Sequence, residues 1–411
     1  MKKLLLLGGS SYLIPAIKIA QNLGIYVITC DYLPNNIAHK YSNEYHNVSI
    51  VDKEAVLSLA KELKIDGIMS FATDPGVVVA SYVATKLGLY TNPYKSIEIL
   101  QNKGKFRKFL EKNNFNVPKS KTYKNYTIAV KDIEKFEFPI IVKPVDSAGS
   151  KGVKRVDDLE NFKYAFEYAL KYSISKEVIV EEFIEKIGFS SDTDSFSVDG
   201  KLTFCSFSDQ LFDKNADNPY TPSAYVWPCS MCIEKQKELE SEIQRLIKLL
   251  NMKSSIYNIE TCIGKNKKAY IMECTPRAGG NRLSEILKLA TKQDLITASI
   301  KASLGMKIDK LTRPQYDGFW AELILHSNNN GIFDKLIIDK SIEKYIVEVD
   351  LWISKGDIVK SFTGANETIG TVIVNCKTKE KLETIIEKSQ ELIKVLVKWF
   401  RSFYERKRRI Y

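Results

Sequence analysis

A lysine ends a short apolar run in the stretch Phe138-Pro139-Ile140-Ile141-Val142-Lys143-Pro144, and small residues follow at Ser147-Ala148-Gly149-Ser150-Lys151-Gly152-Val153. The run predicts a buried strand that proline stops directly after Lys143. Lysine is rarely buried without a partner, and glycines let backbone N–H groups approach an anion closely. The pattern therefore predicts a phosphate cradle, although a surface hairpin with a snorkelling lysine would have the same sequence.

A predicted β-hairpin further along the chain places two glutamates opposite each other. Its strands are Ser255-Ile256-Tyr257-Asn258-Ile259-Glu260 and Ala269-Tyr270-Ile271-Met272-Glu273. With a two-residue loop at positions 266 and 267, Glu260 pairs directly with Glu273 on one face of the ribbon. Opposed like charges destabilise a ribbon unless a cation neutralises them, and carboxylates beside phosphate oxygens are typical Mg²⁺ ligands. The alternative is two exposed glutamates in another register.

The segment after this hairpin contains groups that bind oxyanions. It reads Thr275-Pro276-Arg277-Ala278-Gly279-Gly280-Asn281-Arg282. Arginine binds phosphate or carboxylate oxygens through two parallel N–H groups, so Arg277 is a candidate anion-binding residue beside the paired carboxylates. Asn281 is predicted to cap the helix that follows.

The first 95 residues alternate strands with helices. Their predicted strands lie at residues 4–7, 25–29 and 67–71. Asp52 is a suitable N-cap for the helix before the third of these strands. The alternation is typical of a parallel sheet with crossover helices. A dinucleotide site is disfavoured, although Asp31 follows the second strand, because Gly8-Gly9 lacks the G-x-G-x-x-G spacing.

The rest of the chain reads as mixed α/β structure in two further regions. Residues 96–308 contain antiparallel-looking strands and a hairpin signal at Asp199-Gly200. Within them, Glu177-Val178-Ile179-Val180-Glu181-Glu182-Phe183-Ile184 is an apolar strand that turns acidic, and its ordinary interpretation is an edge strand. Residues 309–411 contain three predicted strands, and a helix from about Lys379 onward is predicted to close the chain.

In this order, the segments resemble the ATP-grasp superfamily, most closely the branch with biotin carboxylase, carbamoyl phosphate synthetase and the purine-biosynthesis ligases. The resemblance covers nearly the whole chain. It implies a Rossmann-like pre-ATP-grasp domain at residues 1–95, an ATP-grasp domain at 96–308, and a small α+β domain at 309–411 that packs on the grasp. It also implies ATP with Mg²⁺ or Mn²⁺ as cofactors.

The resemblance assigns roles to individual residues. The lysines that bind ATP phosphates correspond to Lys103, at the start of a predicted helix, and Lys143. The flexible loop over the phosphates corresponds to Ser147, Gly149, Ser150 and Gly152. The hinge that meets adenine, mostly through backbone, corresponds to Glu181, Glu182, Phe183 and Ile184. The metal positions correspond to Glu260, Glu273 and Thr275. The arginine that stabilises the acyl-phosphate step corresponds to Arg277, which with Lys143 forms the catalytic set.

Two positions depart from the family pattern. The family usually has asparagine where this chain has Thr275, and a hydroxyl is a poorer Mg²⁺ ligand than an amide oxygen. The ribose-binding glutamate usually lies shortly after the hinge, where this chain has Gly188 and Ser190. Asp192 and Asp194 are both open as substitutes.

The family resemblance implies an ATP-dependent carboxylate–amine ligase that forms an acyl phosphate and releases ADP and phosphate. One alternative is a bicarbonate-activating enzyme of the carboxylase or carbamoyl-phosphate type. Another is an ATP-binding regulatory protein without turnover, which Thr275 favours and the retained lysines, glutamates and Arg277 disfavour. The expected partners are small-molecule carboxylate and amine substrates.

Composition narrows the class of protein. The net charge is +11, but the lysines are spread along all 411 residues without a nucleic-acid-binding motif, so no nucleic-acid partner is expected. No apolar run reaches the length that crosses a bilayer. The basic end, from Lys398 to Arg409, is interpreted as a charged terminal helix. A homodimer is left open.

The cysteines indicate a reducing compartment. The chain has seven of them, scattered and odd in number, which predicts a cytoplasmic protein. Cys229 and Cys232 form one C-x-x-C without a second pair, so a zinc or redox site is not expected there.

Overall fold

The computed structural model describes residues 1–398. Its N-terminal region is a parallel sheet flanked by helices, as its sequence predicts, and the strand order is β3-β2-β1-β4, in which β3 was not predicted. Asp52 caps the second helix by accepting a hydrogen bond from the backbone N–H of Ala55. The elements are β1 (Lys3–Leu7), α1 (Ile14–Asn22), β2 (Tyr26–Cys30), β3 (Glu44–His46), α2 (Lys53–Leu63), β4 (Gly67–Ser70) and α3 (Asp74–Leu87).

An antiparallel sheet in the order β5-β8-β6-β7 follows. Its elements are α4 (Tyr94–Gln101), α5 (Lys103–Lys112), β5 (Ser120–Tyr123), α6 (Tyr126–Lys131), β6 (Ile140–Pro144), β7 (Lys154–Val156), α7 (Phe162–Tyr172) and β8 (Val178–Glu182). The edge-strand interpretation of the acidic segment is wrong, because β8 pairs with both β5 and β6. Its first four residues are buried, as expected of an internal strand.

A second antiparallel sheet has the order β10-β9-β13-β14. The hairpin predicted at Asp199-Gly200 is confirmed: Val198 pairs with Lys201, and both loop residues have positive φ. The elements of this part are β9 (Ser191–Val198), β10 (Lys201–Cys205), β11 (Asp209–Phe212), β12 (Pro222–Trp227), α8 (Ile233–Leu249), β13 (Ser255–Ile263), β14 (Ala269–Thr275), α9 (Leu283–Thr291) and α10 (Leu295–Ser303).

The remaining elements complete a five-stranded sheet, β11-β12-β15-β19-β17, and a three-stranded sheet, β18-β16-β20. They are β15 (Phe319–Leu325), β16 (Gly331–Ile338), β17 (Ile346–Leu351), β18 (Ile358–Val359), β19 (Gly370–Cys376), α11 (Lys379–Glu387), α12 (Ser389–Leu392) and β20 (Ile393–Lys398). Because β12 pairs with β15, the five-stranded sheet joins strands from both sides of residue 308. The domain boundaries at residues 95 and 308 stay predictions.

The closing helix ends earlier than its sequence predicts. Helix α11 stops at Glu387, and β20 then pairs with β16. The run Ile393-Lys394-Val395-Leu396-Val397 alternates apolar and polar residues only at its start, so period-two patterning does not distinguish it. The basic end from residue 399 lies outside the described residues.

Mixed α/β architecture, with a parallel N-terminal sheet and antiparallel sheets after it, is therefore the fold of this chain. Within residues 1–398, none of the helices combines the length and the apolar character that crossing a bilayer requires.

Candidate active site

The hairpin of β13 and β14 places Glu260 directly opposite Glu273, as its sequence predicts. The predicted two-residue loop is wrong. The backbone N–H of Gly264 bonds the carbonyl of Lys268, which leaves a three-residue loop. Met272 compensates as an unpaired residue in a β-bulge between the two glutamates and the rest of the ladder. The extra loop residue and the bulge offset each other, so the glutamates still meet.

Strand β9 adds a third column to this pair, because Asp192 lies opposite Glu260 and Asp194 lies opposite Asn258. Asn258 is in turn opposite Thr275. Opposed residues on neighbouring antiparallel strands project to the same face of a sheet. We call these six side chains the polar face: Asp192, Glu260 and Glu273 in one row, and Asp194, Asn258 and Thr275 in the next.

The polar face brings several carboxyl groups together where they are largely shielded from solvent. Burial and the neighbouring Glu273 raise the pKa of Glu260. Burial, followed by Glu260, raises the pKa of Asp192 to about 7, and burial raises that of Asp194 to about 6. Carboxyl groups with raised pKa values are those that a bound cation would hold ionised.

The two predicted phosphate-binding lysines contact different carboxylates, of which only Glu273 belongs to the polar face. Lys103 Nζ lies 3.3 Å from Glu273 Oε1 and donates to the carbonyl of Ser147 at 3.0 Å. It therefore connects the paired carboxylates to the glycine-rich loop. Lys143 Nζ lies 2.8 Å from Glu181 Oε2 and is largely buried. The partner that a buried lysine requires is thus a residue of the predicted hinge.

Arg107 is a member of this site that sequence reasoning missed. Its Nε lies 2.8 Å from Glu181 Oε1, and its Nη1 donates to the carbonyl of the bulged Met272 at 2.8 Å. Burial opposes ionisation of Glu181, but Arg107 and Lys143 together lower its pKa to about 2. The available signal was spacing, because Arg107 follows Lys103 by one helical turn and shares its face of α5.

Arg277 lies at the polar face and is held by a residue from the N-terminal region. Its Nε and Nη2 donate to the two carboxylate oxygens of Asp74 at 2.9 and 2.8 Å, and its Nη1 donates to Asn258 Oδ1 at 3.1 Å. Asp74, in the first turn of α3, was not predicted. The predicted cap by Asn281 is wrong: α9 follows Arg282 without a side-chain cap, and Asn281 Oδ1 accepts from Tyr12 Oη instead.

The glycine-rich loop has the backbone conformation that its composition predicts. Gly149, Ser150 and Gly152 all have positive φ. A Cβ at Gly152 would lie 2.8 Å from Pro144 Cγ, so this position requires glycine. Ser150 Oγ donates to the carbonyl of Tyr220 at 3.0 Å, which joins the loop to the segment before β12.

The hinge after β8 is positioned mainly through backbone contacts. The N–H of Phe183 donates to the carbonyl of Pro139 at 3.0 Å, and Glu182 Oε1 accepts from the N–H of Glu137. Ile184 lies beside Gly264 of the hairpin loop. Glu181, the first hinge residue, forms an ion pair with Lys143, so the structure brings the hinge close to this lysine.

The two candidates for a ribose-binding residue lie on the polar face. Asp194 Oδ1 accepts from the N–H of Gly279 at 2.7 Å, and its other oxygen bonds Ser284 Oγ. Asp192 accepts from Asn258 Nδ2 at 2.8 Å and from Tyr225 Oη at 3.2 Å. Both carboxyl groups are thus partnered within the protein.

Comparison with known proteins identifies the family of this site. The family described as the ATP-grasp domain matches residues 136–285, which include Lys143, the hinge, both glutamates and Arg277. The chain contains an ATP-grasp domain. The resemblance stated from sequence is therefore confirmed.

Relatives of the chain agree with the assignment of this domain. The carbamoyl phosphate synthase large chain of Caldanaerobacter subterraneus subsp. tengcongensis is 25% identical over 265 residues, 63% of this chain and 24% of the relative. The chain thus spans about a quarter of the length of the curated relatives it matches.

Two solved structures share the ATP-grasp architecture over most of the chain. An L-amino acid ligase from Bacillus licheniformis has a TM-score of 0.79 at 19% identity, covering 97% of this chain and 99% of that one. The biotin carboxylase domain of 2-oxoglutarate carboxylase from Hydrogenobacter thermophilus, solved with MgADP and bicarbonate, has a TM-score of 0.75 at 15% identity. It covers 97% of this chain and 91% of that one. At these identities the likeness establishes the fold.

The residues present fit the Mg²⁺–nucleotide chemistry of ATP-grasp proteins. Glu260 and Glu273 offer two opposed carboxylates, which is a common protein contribution to a Mg²⁺ site completed by phosphates and water. Residues 1–398 contain no set of three or more His, Cys, Asp or Glu side chains placed to share a metal ion. The third predicted position, Thr275, is buried and donates to the carbonyl of Asn258 at 3.4 Å.

Proposed function

We propose that this protein is an ATP-dependent carboxylate–amine ligase that works through an acyl phosphate. The observation that carries the proposal is the opposed pair Glu260 and Glu273, with Lys103 3.3 Å from Glu273. Two carboxylates that repel each other beside a phosphate-loop lysine match the needs of phosphoryl transfer, where neutralising charge is the main task of the protein.

Each residue has a place in this scheme. Lys103, Lys143 and the loop from Ser147 to Gly152 bind the phosphates, and the hinge receives adenine. Mg²⁺ held by Glu260 and Glu273, when bound, offsets the charge that develops on the transferring phosphoryl group. Arg277 stabilises the acyl-phosphate step, and Asp74 fixes the orientation of its guanidinium.

The reaction then has two steps. The carboxylate oxygen attacks the γ-phosphorus, and the bond to the ADP oxygen breaks. The amine nitrogen attacks the carbonyl carbon of the resulting acyl phosphate, phosphate leaves with the bonding electron pair, and the nitrogen loses a proton. The chain's own residues supply orientation and charge neutralisation for both steps.

The test is ADP release from the purified chain, measured against panels of carboxylates and amines, with bicarbonate as a separate arm. Release that depends on one carboxylate and one amine supports the proposal. Release with bicarbonate alone would point to a bicarbonate-activating enzyme. A lack of ADP release with every carboxylate and amine in the panels would contradict ligase activity.

A variant separates nucleotide binding from turnover. Lys143→Ala should weaken ATP binding about tenfold or more, because a charge-assisted hydrogen bond to phosphate is lost. Lys163→Ala, at an exposed position of α7, is the matched control and should bind ATP normally. Unchanged ATP affinity in Lys143→Ala would remove Lys143 from the site.

A further inference from the structure

Glu322 is a fully buried carboxyl group to which the phosphate and metal site gives no role. It lies on β15, opposite Tyr225 of β12 and Ile373 of β19. Within the described residues, neither of its oxygens has a hydrogen-bond partner. Burial raises the pKa of Glu322 well above its ordinary value. An unsatisfied buried carboxyl group costs free energy, which a ligand donating to it would recover.

The charges that act on Glu322 include the Arg282 guanidinium and the carboxyl groups of Glu285 and Glu348. Arg282 Nη2 lies 2.8 Å from both Glu285 Oε1 and Glu348 Oε1, and its Nη1 lies 3.4 Å from Asp350 Oδ2. We call these residues, with Glu322, the acidic cluster. Its four carboxyl groups exceed its single guanidinium by three charges when all are ionised. That balance favours a cationic ligand and opposes an anionic one.

The acidic cluster runs from the surface to the interior. The side chains of Glu348 and Asp350 are 42% exposed, whereas Glu322 is 0% exposed. At the outer end, Trp352 Nε1 donates to Asp350 Oδ2 at 2.8 Å, and its ring meets the Tyr12 ring edge to face. Aromatic rings beside carboxylates are a typical environment for an organic ammonium group.

The cluster also adjoins the proposed reaction centre. Tyr12 Oη donates to Asn281 Oδ1, within the loop that connects Arg277 to α9. Asp194 of the polar face contributes to the electrostatic environment of Glu322. A ligand that contacts Glu322 would therefore lie close to the polar face.

We propose that the acidic cluster is the amine subsite and that its ligand is a diamino compound whose protonated nitrogen contacts Glu322. The assignment of the reacting amine rests on the ligase function proposed above. An attacking amine must be neutral to use its lone pair, so the positive charge that the cluster recognises belongs to a second nitrogen. That nitrogen keeps its proton while the first forms the C–N bond.

Binding without turnover provides the test. Calorimetric titration of the full chain, without ATP, should show pentane-1,5-diamine binding about tenfold or more tightly than the uncharged pentane-1,5-diol, since a charged hydrogen bond distinguishes them. Glu322→Gln should abolish this preference. The control Glu343→Gln, at an exposed position outside the cluster, should retain it. Equal affinities for the diamine and the diol in the unmodified chain would overturn the proposal.

A second variant tests the proposal independently, in case Glu322→Gln does not fold. The double substitution Glu348→Gln and Asp350→Asn alters half-exposed side chains and should also reduce the preference for the diamine. A preference unchanged in both variants would overturn the proposal. The ADP-release assay separates the two hypotheses: selective diamine binding without ADP release would contradict only the ligase function. ADP release with equal use of mono- and diamines would contradict only the subsite.

Discussion

Glu181 forms ion pairs with two cations while its own side chain is only 2% exposed. Arg107 reaches it from α5 and Lys143 from β6, so three segments of the chain meet at one carboxylate. Such a group is costly to desolvate and is tolerated because its partners are in place. The arrangement also holds Lys143 in a fixed position beside the glycine-rich loop.

Removing this carboxylate should destabilise the protein strongly. Glu181→Gln leaves two buried cations without their counter-charge, which costs about 3–5 kcal/mol in the free energy of unfolding. The measurement is urea denaturation. The control is Glu185→Gln, whose pair with Lys265 is more than half exposed, so this substitution should change stability far less. Similar losses in both variants would contradict the assignment.

Glu181 is also expected to make the stability of the folded chain depend on pH in the acidic range. The pKa of Glu181 is about 2 in the folded chain, below its ordinary 4.5, so the folded state favours the ionised form. Its contribution is fully present above pH 4.5 and is lost as pH falls through 4.5 toward 2. We expect the stability difference between the unmodified chain and Glu181→Gln to shrink over that range. A difference independent of pH would contradict this account.

At the scale of single elements, the β13–β14 hairpin determines where the metal carboxylates lie. The bulge at Met272 restores the pairing that a three-residue loop would otherwise shift. Across the ribbon from Thr275, Asn258 supplies an amide in the row beside the glutamates. Its oxygen accepts from Arg277, which links the hairpin to the proposed catalytic arginine.

We expect Glu273→Gln to lower the rate of ADP release about tenfold or more and to raise the Mg²⁺ concentration for half-maximal rate, because one ligand charge is lost. Thr275→Asn should be tolerated or should tighten Mg²⁺ binding, since it adds an amide oxygen. The control Glu234→Gln lies at an exposed position of α8. An unchanged Mg²⁺ requirement in Glu273→Gln would remove this residue from the metal site.

The glycine-rich loop permits a matched steric test. Gly152→Ala combines positive φ with a Cβ 3.0 Å from Tyr172 Cβ, whereas Gly24→Ala has a similar φ in open space. Both variants should lose about 1–2 kcal/mol from backbone strain, and Gly152→Ala should lose about 1–3 kcal/mol more from overpacking. Thermal or urea unfolding measures both. Equal losses would show that the loop relaxes around the added methyl group.

Across the whole molecule, two long-range contacts join regions that are far apart in sequence. Asp74 of α3 binds Arg277, 203 residues away, and β12 pairs with β15 in the five-stranded sheet. The proposed catalytic arginine is therefore held by the N-terminal region, and the C-terminal strands share a sheet with β12. Both regions are thus joined by contacts to the residues that lie between them in the sequence.

We expect a fragment from residue 311 to 411 not to fold cooperatively by itself. Without β12, the sheet face and edge of β15 would be exposed, and unpaired edges favour aggregation. Circular dichroism with urea titration of the isolated fragment measures this. A cooperative unfolding transition in the fragment would contradict the expectation.

Local patterns determined much of this protein. The parallel N-terminal sheet and the Asp199-Gly200 hairpin follow from periodicity and turn chemistry within short stretches. Such features depend on neighbours along the chain or across one turn, and for that reason they could be predicted. The opposition of Glu260 and Glu273 was predicted from a two-residue loop, and it holds because the bulge at Met272 offsets the third loop residue.

Only the tertiary structure decided which groups neutralise one another. The pairing of Glu181 with Arg107 and Lys143, the bond between Asp74 and Arg277, and the burial of Glu322 join residues tens to hundreds of positions apart. Sequence spacing does not specify such contacts, because they depend on how sheets pack. Burial then changes the energetics of each charge, since a carboxylate that costs little in water requires a partner once the folded chain excludes solvent.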